Sequence, residues 1–218
     1  MAKVDRFSRS RSLFGDDFKK IKNANVLVCG VGGVGGVCVD ALMRAGIGNL
    51  TIIDFDKFEV TNQNRQIYSN FLDYPKVAVF KQIYPQIHAI KAKITPEFVE
   101  NFDFSEFDVV IDAIDDIQAK IALAFKTHEK LVSSAGAARR IDASKIKVAS
   151  VWQTSGDPFA RKIRNELKKA KFDGDFEMVY SDEAPMCQDL GSFMGVTASF
   201  GLFLASLAVQ RVLKTRNF

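Results

Sequence analysis

The run Gly30-Val31-Gly32-Gly33-Val34-Gly35 constrains this chain more than any other stretch of it. It follows a short apolar run, Val26-Leu27-Val28-Cys29, and opens a helical pattern that lasts to about Ala45. Glycines between a buried strand and a helix permit a tight turn, and they let a phosphate approach the backbone at the positive end of the helix. A plainer use of the same glycines is close packing of helix on strand. Further β-branched runs end in Asp54, Asp112 and Ser133, separated by helix-length segments. Such continuous runs read as buried parallel strands. They predict an α/β, Rossmann-like fold, a mostly parallel sheet flanked by helices, with ligands at the carboxyl ends of the strands.

The pattern changes after Ala135. Residues 145–151 alternate like a half-exposed strand. Asp157 and Pro158 are a natural N-cap and first helical residue for a basic helix to about Lys171. Residues 171–188 read as loop. These make a C-terminal extension of strand and helices. No repeat or linker interrupts the chain, so residues 1–218 form one domain: an N-terminal arm and helix to about residue 24, a nucleotide-binding core over 25–136, and the extension over 137–218.

Composition narrows the setting. A chain of 218 residues, 47% hydrophobic and 26% charged, can bury a core and is not globally disordered. Its three cysteines, Cys29, Cys38 and Cys187, are odd in number and lack CxxC spacing, which argues against a disulfide framework or a four-cysteine zinc site. The basic N-terminus lacks an apolar stretch, so no secretory signal and a cytoplasmic location are expected. No charge falls between Asp189 and Arg211, and a membrane span needs about 20 apolar residues. Ser192, Thr197, Ser199, Ser206 and Gln210 dilute this segment, so a helix buried in the core or at a dimer interface is the favoured reading, and peripheral membrane contact the lesser one.

Asp54 ends the second strand at the spacing expected of a ribose-binding acid. A dehydrogenase is the first class this suggests. A second acid, Asp56, the polar block Thr61-Asn62-Gln63-Asn64-Arg65-Gln66, and Lys76 after Pro75 suit a triphosphate better. Arginine offers phosphate oxygens a planar fork and lysine a point charge. The segment DAIDD, residues 112–116, ends another strand and suits Mg2+ held by one carboxylate plus substrate phosphates. Asp116 reads as a helix N-cap, and a salt-bridge partner is the alternative for Arg65.

GVGGVGG, DFDKFEVTNQNRQ, Lys76 and DAIDD, in that order, resemble the ubiquitin-activating-type (THIF-type) adenylyltransferases, which include enzymes that adenylate sulfur-carrier proteins. TNQNRQIYS, LVSSAGAARRIDASKIKVAS, DPFARKIRNELKK and VTASFG look like one branch, the tRNA threonylcarbamoyladenosine dehydratases. The resemblance covers nearly the whole chain. It implies ATP-dependent cyclisation of a modified adenosine beside the anticodon, through a carboxyl-adenylate. It implies that Gly30, Gly32, Gly33 and Gly35 line the ATP phosphates, that Asp54 binds the ribose, and that Asn64, Arg65 and Lys76 hold the triphosphate. Asp115 would position Mg2+ with Asp112 in support, and a monovalent cation is a further candidate cofactor. Family members are homodimers in which an N-terminal arginine reaches the partner's nucleotide, here Arg9 or Arg11, although Arg6, Arg9 and Arg11 also read as a solvated basic arm.

Within that frame no side-chain nucleophile is needed. Cys29 and Cys38 fall in core positions, and Cys187 reads as an ordinary loop cysteine rather than a thiol relay. His88 and His128 match no motif. Arg161, Arg164, Lys168 and Lys171 recur at helical spacing beside an apolar stripe and suit a tRNA backbone. Without the resemblance, a solvated helix surface accounts for them equally well. Arg139, Arg140 and Asp73 depart from the family, where small residues and a glycine are expected. The competing functions are adenylation of a sulfur-carrier protein, which the missing CxxC tetrad weakens, and a nicotinamide-dependent oxidoreductase or silent nucleotide-binding module. tRNA, a second copy of the chain and a sulfur-transfer protein are the partners the resemblance implies.

Overall fold

The computed structural model describes residues 4–214. The N-terminal arm carries α1 (Ser8–Phe14) and α2 (Phe18–Asn23). There follow β1 (Asn25–Cys29), α3 (Gly35–Ala45), β2 (Asn49–Ile53), α4 (Lys76–Ile83), β3 (His88–Ile90), α5 (Pro96–Asn101), β4 (Val109–Asp112), α6 (Ile117–Thr127) and β5 (Leu131–Ser134). The chain ends with β6 (Ile146–Ser150), α7 (Pro158–Lys169), β7 (Glu177–Ser181) and α8 (Met194–Lys214).

All seven strands form one sheet in the order β3-β2-β1-β4-β5-β7-β6. Every pairing is parallel except that of β6 with β7. From β1 the chain adds strands first on one side, β2 and β3, and then on the other, β4 and β5. That reversal opens a crevice at the carboxyl ends of β1 and β4, where open α/β sheets take ligands. Cys29 pairs with Asp112 there, so the glycine turn after β1 and the acidic loop after β4 share one edge.

Alternate residues of β1 point to opposite faces, as a pleated strand requires. Val26 and Val28 join the core beneath α3, α4 and α8, while Leu27 and Cys29 join the core beneath α5, α6 and α7. α8 is long and apolar enough to cross a membrane by length and composition, yet half of its most apolar stretch is buried in the protein. Val196, Phe200, Leu204, Ala208 and Val212 form a buried stripe at every fourth residue. A Cβ on Gly201 would lie only 2.4 Å from the Val34 carbonyl oxygen, so α8 rests directly on the start of α3.

Two strands differ from the sequence reading. Residues 171–188 are not all loop: β7 lies within them, inserted between β5 and β6. Its run Met178-Val179-Tyr180 is buried, but five residues are too few for periodicity to mark among loops. β3 spans three residues and left no pattern at all. Among the described residues β6 pairs only with β7, and this edge position accounts for its alternating, half-exposed sequence. At the anomalous Asp73 the backbone turns left-handed, φ 65°, as the expected glycine would. Its amide donates to the Phe58 carbonyl at 2.9 Å, and the placement of Lys76 is unaffected.

Candidate nucleotide-binding and active site

The glycine turn is built on close backbone approach. Gly30 adopts φ 88°, and a Cβ there would lie 2.9 Å from the Ala113 carbonyl oxygen of the acidic loop. A Cβ on Gly35 would lie 1.8 Å from the Gly30 oxygen. These two glycines therefore make the turn itself. Gly32 has no atom nearer to its would-be Cβ than Gln66 Nε2 at 3.8 Å, and Gly33 faces the Arg65 side chain at 3.3 Å. Gly32 leaves the room a phosphate needs, and Gly33 admits the arginine beside it. Among the described residues no side chain caps the start of α3, where a helix favours an anion.

Asp54 closes the turn from β2. One carboxylate oxygen accepts from the Val31 amide and the other from the Asp56 amide, both at 2.8 Å. Burial pushes this carboxyl above its ordinary value, against the opposing pull of nearby Lys76 and the two amides. Each oxygen retains a lone pair for a further donor such as a ribose hydroxyl. Lys76 is the first residue of α4, 4% exposed, and its ammonium lies 3.0 Å from Asp56. Sequence reasoning singled out Asp56 only as a second acid; the structure makes it the counter-ion of the lysine.

The polar block folds as a 3-10 turn over Val60–Asn62 and a loop beyond it. Arg65 donates to the Thr61 carbonyl at 2.8 Å and to the Asn64 side chain at 2.9 Å. Asn64 in turn donates to the Ser192 carbonyl at 3.0 Å. Gln66, absent from the sequence-derived site, is 8% exposed and its side-chain oxygen has no partner among the described residues.

The acidic loop separates its three carboxylates. Asp115 is exposed and its side chain makes no hydrogen bond or ion pair among the described residues. One such carboxylate, with phosphates supplied by a substrate, fits what Mg2+ needs. Asp116 caps α6 through the Ala119 amide at 2.8 Å, as read from the sequence. Asp112, expected as a supporting metal ligand, lies inside the protein. It is 1% exposed, accepts from the Ile114 amide at 3.2 Å and Ser133 Oγ at 2.7 Å, and pairs with Lys120 at 2.9 Å. Buried and neutralised by the lysine, Asp112 anchors the loop in this structure and leaves Asp115 as its solvent-facing carboxylate.

In the arm, Arg11 pairs with Asp5 at 2.7 Å, and Arg6 lies over the Phe7 and Tyr84 rings at 5.1 and 6.0 Å. Arg9 is exposed on α1. On α7, Arg161 and Lys168 are exposed and Lys171 follows the helix, while Arg164 is partly held by a hydrogen bond to Thr154 Oγ1. Cys29 and Cys38 are buried, and burial pushes both thiols up. Cys187 is exposed, its thiol 3.2 Å from the Asp189 carbonyl.

A glycine turn and a carboxylate-bearing loop that face each other across the reversal of a parallel sheet define a nucleotide-binding α/β protein. The chain belongs to the ThiF family, whose model matches residues 7–217. It is similar to the tRNA threonylcarbamoyladenosine dehydratase of Bacillus subtilis, with 35% identity over 84% of this chain and 77% of the relative. The structure of the Escherichia coli tRNA N6-threonylcarbamoyladenosine dehydratase in complex with ATP superposes with a TM-score of 0.88 and 33% identity, covering 96% of this chain and 94% of that one. A molybdopterin-synthase adenylyltransferase of Haemophilus influenzae is 34% identical, but over only 63% of this chain and 61% of its own length.

Proposed function

We propose that this protein is an ATP-dependent enzyme that cyclises threonylcarbamoyladenosine in tRNA, acting through a carboxyl-adenylate. One observation carries the choice within the family: likeness to the dehydratases runs the length of the chain, whereas likeness to the sulfur-carrier adenylyltransferase stops short of it. Nothing at the site calls for a nicotinamide, because Arg65, Lys76 and Asp115 provide for a triphosphate.

The threonyl carboxylate is a poor electrophile at neutral pH because its leaving group would be oxide. Its oxygen attacks the α-phosphorus of ATP; the bond from that phosphorus to the bridging oxygen breaks and pyrophosphate leaves. The neighbouring carbamoyl group then attacks the activated carbonyl, the ring closes and AMP departs, so the nucleoside has lost one water. In this reading Gly32 and Gly33 admit the phosphates, Asp54 holds the ribose, and Arg65 with Asn64 and Lys76 orients the triphosphate. Their contribution is positioning and charge stabilisation. Asp115 would hold Mg2+, which supplies neutralisation of charge on the phosphates.

Arg9 serves as the arginine offered to a partner's nucleotide in a homodimer, since Arg11 is engaged by Asp5. The exposed cations of α7 bind the tRNA backbone. A cytoplasmic location, where tRNA is found, belongs to the same reading. Incubation with tRNA and Mg-ATP, followed by nucleoside mass spectrometry, tests it. Loss of one water from threonylcarbamoyladenosine is expected; a nucleoside that stays open under saturating ATP overturns the proposal.

A further inference from the structure

The segment after Asn64 runs along the glycine turn residue by residue. A Cβ on Gly33 would meet Arg65 at 3.3 Å, one on Gly32 would meet Gln66 Nε2 at 3.8 Å, and one on Gly36 would meet Ile67 at 3.7 Å. The backbone of Gln66 is held at both of its polar groups. Its amide donates to the Asn62 carbonyl at 2.8 Å, and its carbonyl accepts from Ser69 Oγ at 2.6 Å. Ile67, next in the chain, packs on the core beneath α3. These contacts deliver the Gln66 side chain to Gly32.

The side chain itself has no structural duty. It is 8% exposed, its Oε1 is shut off from solvent without a hydrogen bond, and its Nε2 makes none either among the described residues. An amide buried without a partner costs stability, whereas methionine would fill the same space without that penalty. Packing therefore does not account for a glutamine here. The two ends of the amide differ. Oε1 is enclosed, and Nε2 is the end that is not. Adjoining residues aside, it is the only atom among the described residues within 4 Å of a Cβ on Gly32.

The surroundings of Nε2 select the ligand. The turn leads into the uncapped start of α3, which favours an anion. Arg65 stands on the adjoining glycine, and Asp54 holds the Val31 amide next to Gly32 in the chain. An N–H offered from an enclosed wall bonds an anion without carrying a charge into that wall, and hydrogen bonds to charged groups are the stronger class. An outward oxygen would repel a phosphate, and here the oxygen is the end turned in. We propose that Gln66 binds ATP, its Nε2 donating to a phosphate oxygen in the space beside Gly32. The proposal deepens the function inferred above and rests on it. Arg65 and Lys76 hold the phosphates by charge, and Gln66 fixes one of them by direction.

Gln66→Met tests this, because it removes the amide and keeps the shape. Without nucleotide the melting temperature should hold or rise, since an unpaired buried amide has gone. Affinity for Mg-ATP, measured by calorimetry, should fall about tenfold. Affinity for adenosine, which has the base and ribose but no phosphate, should stay as in wild type. Gln66→Glu turns an oxygen toward the phosphates and should bind Mg-ATP no better than Gln66→Met. A methionine variant that melts earlier without nucleotide would give the amide a structural part. One that binds Mg-ATP as wild type does, or that loses adenosine in equal measure, would remove it from the phosphates. Each of these results overturns the proposal, as does a glutamate variant with wild-type affinity for Mg-ATP. Wild-type protein that does not bind Mg-ATP overturns the function itself, whereas unchanged affinity in Gln66→Met beside a wild type that binds overturns only the role of Gln66.

Discussion

The Lys120 ammonium lies 2.9 Å from the Asp112 carboxylate, with the two side chains 2% and 1% exposed. The lysine also donates to the Ser134 carbonyl at 2.8 Å. Through this pair α6 is fastened to the ends of β4 and β5, and Asp112 steadies the loop that presents Asp115. Breaking a buried pair leaves an uncompensated charge, at a cost of about 3–5 kcal/mol. Lys120→Met should therefore lower stability in urea by that order. Asp112→Asn combined with Lys120→Met should cost less than the two single changes summed, as coupled neighbours do. Strict additivity would refute the coupling.

Asp115→Ala should abolish cyclisation and ATP–pyrophosphate exchange while leaving the unfolding free energy from urea titration within about 0.5 kcal/mol of wild type, since an exposed residue without partners among the described residues contributes little to stability. A variant that remains active would move the metal-binding role elsewhere.

Asp40 on α3 makes the stability pH-dependent. Burial pushes its carboxyl up, but Arg44, Tyr68 and Tyr84 together outweigh burial and hold it below its ordinary value. Arg44 and Tyr68 each donate to it at 2.6 Å, and Tyr84 donates as well. A depressed folded value means stability that is present above the unfolded value of about 3.9 and lost as the pH falls through the folded one. Asp54 is shifted the other way, so its contribution is present in acid and lost as the pH rises through its folded value. Urea midpoints measured from neutrality into acid should flatten in Asp40→Asn and steepen in Asp54→Asn. Identical acid limbs in wild type and Asp40→Asn would show that the cluster is not ion-linked.

Cys187→Ser should keep at least half of the cyclisation rate, because ATP rather than a thiol activates the carboxylate. Complete loss with normal folding would place the thiol in the reaction.

The placement of the candidate nucleotide-binding residues was legible because it is set locally. Glycines, Asp54, Lys76 and Asp115 each sit at the end of a strand or the start of a helix that periodicity reveals. What escaped was pairing across the fold. Lys120 is one turn past its helix cap in an otherwise apolar run, and nothing in that spacing names Asp112 as its partner. The buried pairing of Asp112 with Lys120 was consequently not legible from the sequence. β7 escaped for a related reason: its five residues acquire meaning only from neighbours on both sides. Arg139 and Arg140 look equivalent in sequence, yet Arg140 pairs with Asp157 at 3.0 Å while Arg139 has a left-handed backbone, φ 69°.

The contact between Gly201 and the Val34 carbonyl carries a consequence for biosynthesis. The glycine turn is encoded well before α8, yet α8 forms part of its backing. A chain emerging from the ribosome can assemble the first strands, but it gains the support behind the start of α3 only when α8 docks. Packing behind the glycine turn thus waits until α8 has emerged, and a chain cut short before α8 would lack the contact that holds this early motif in shape.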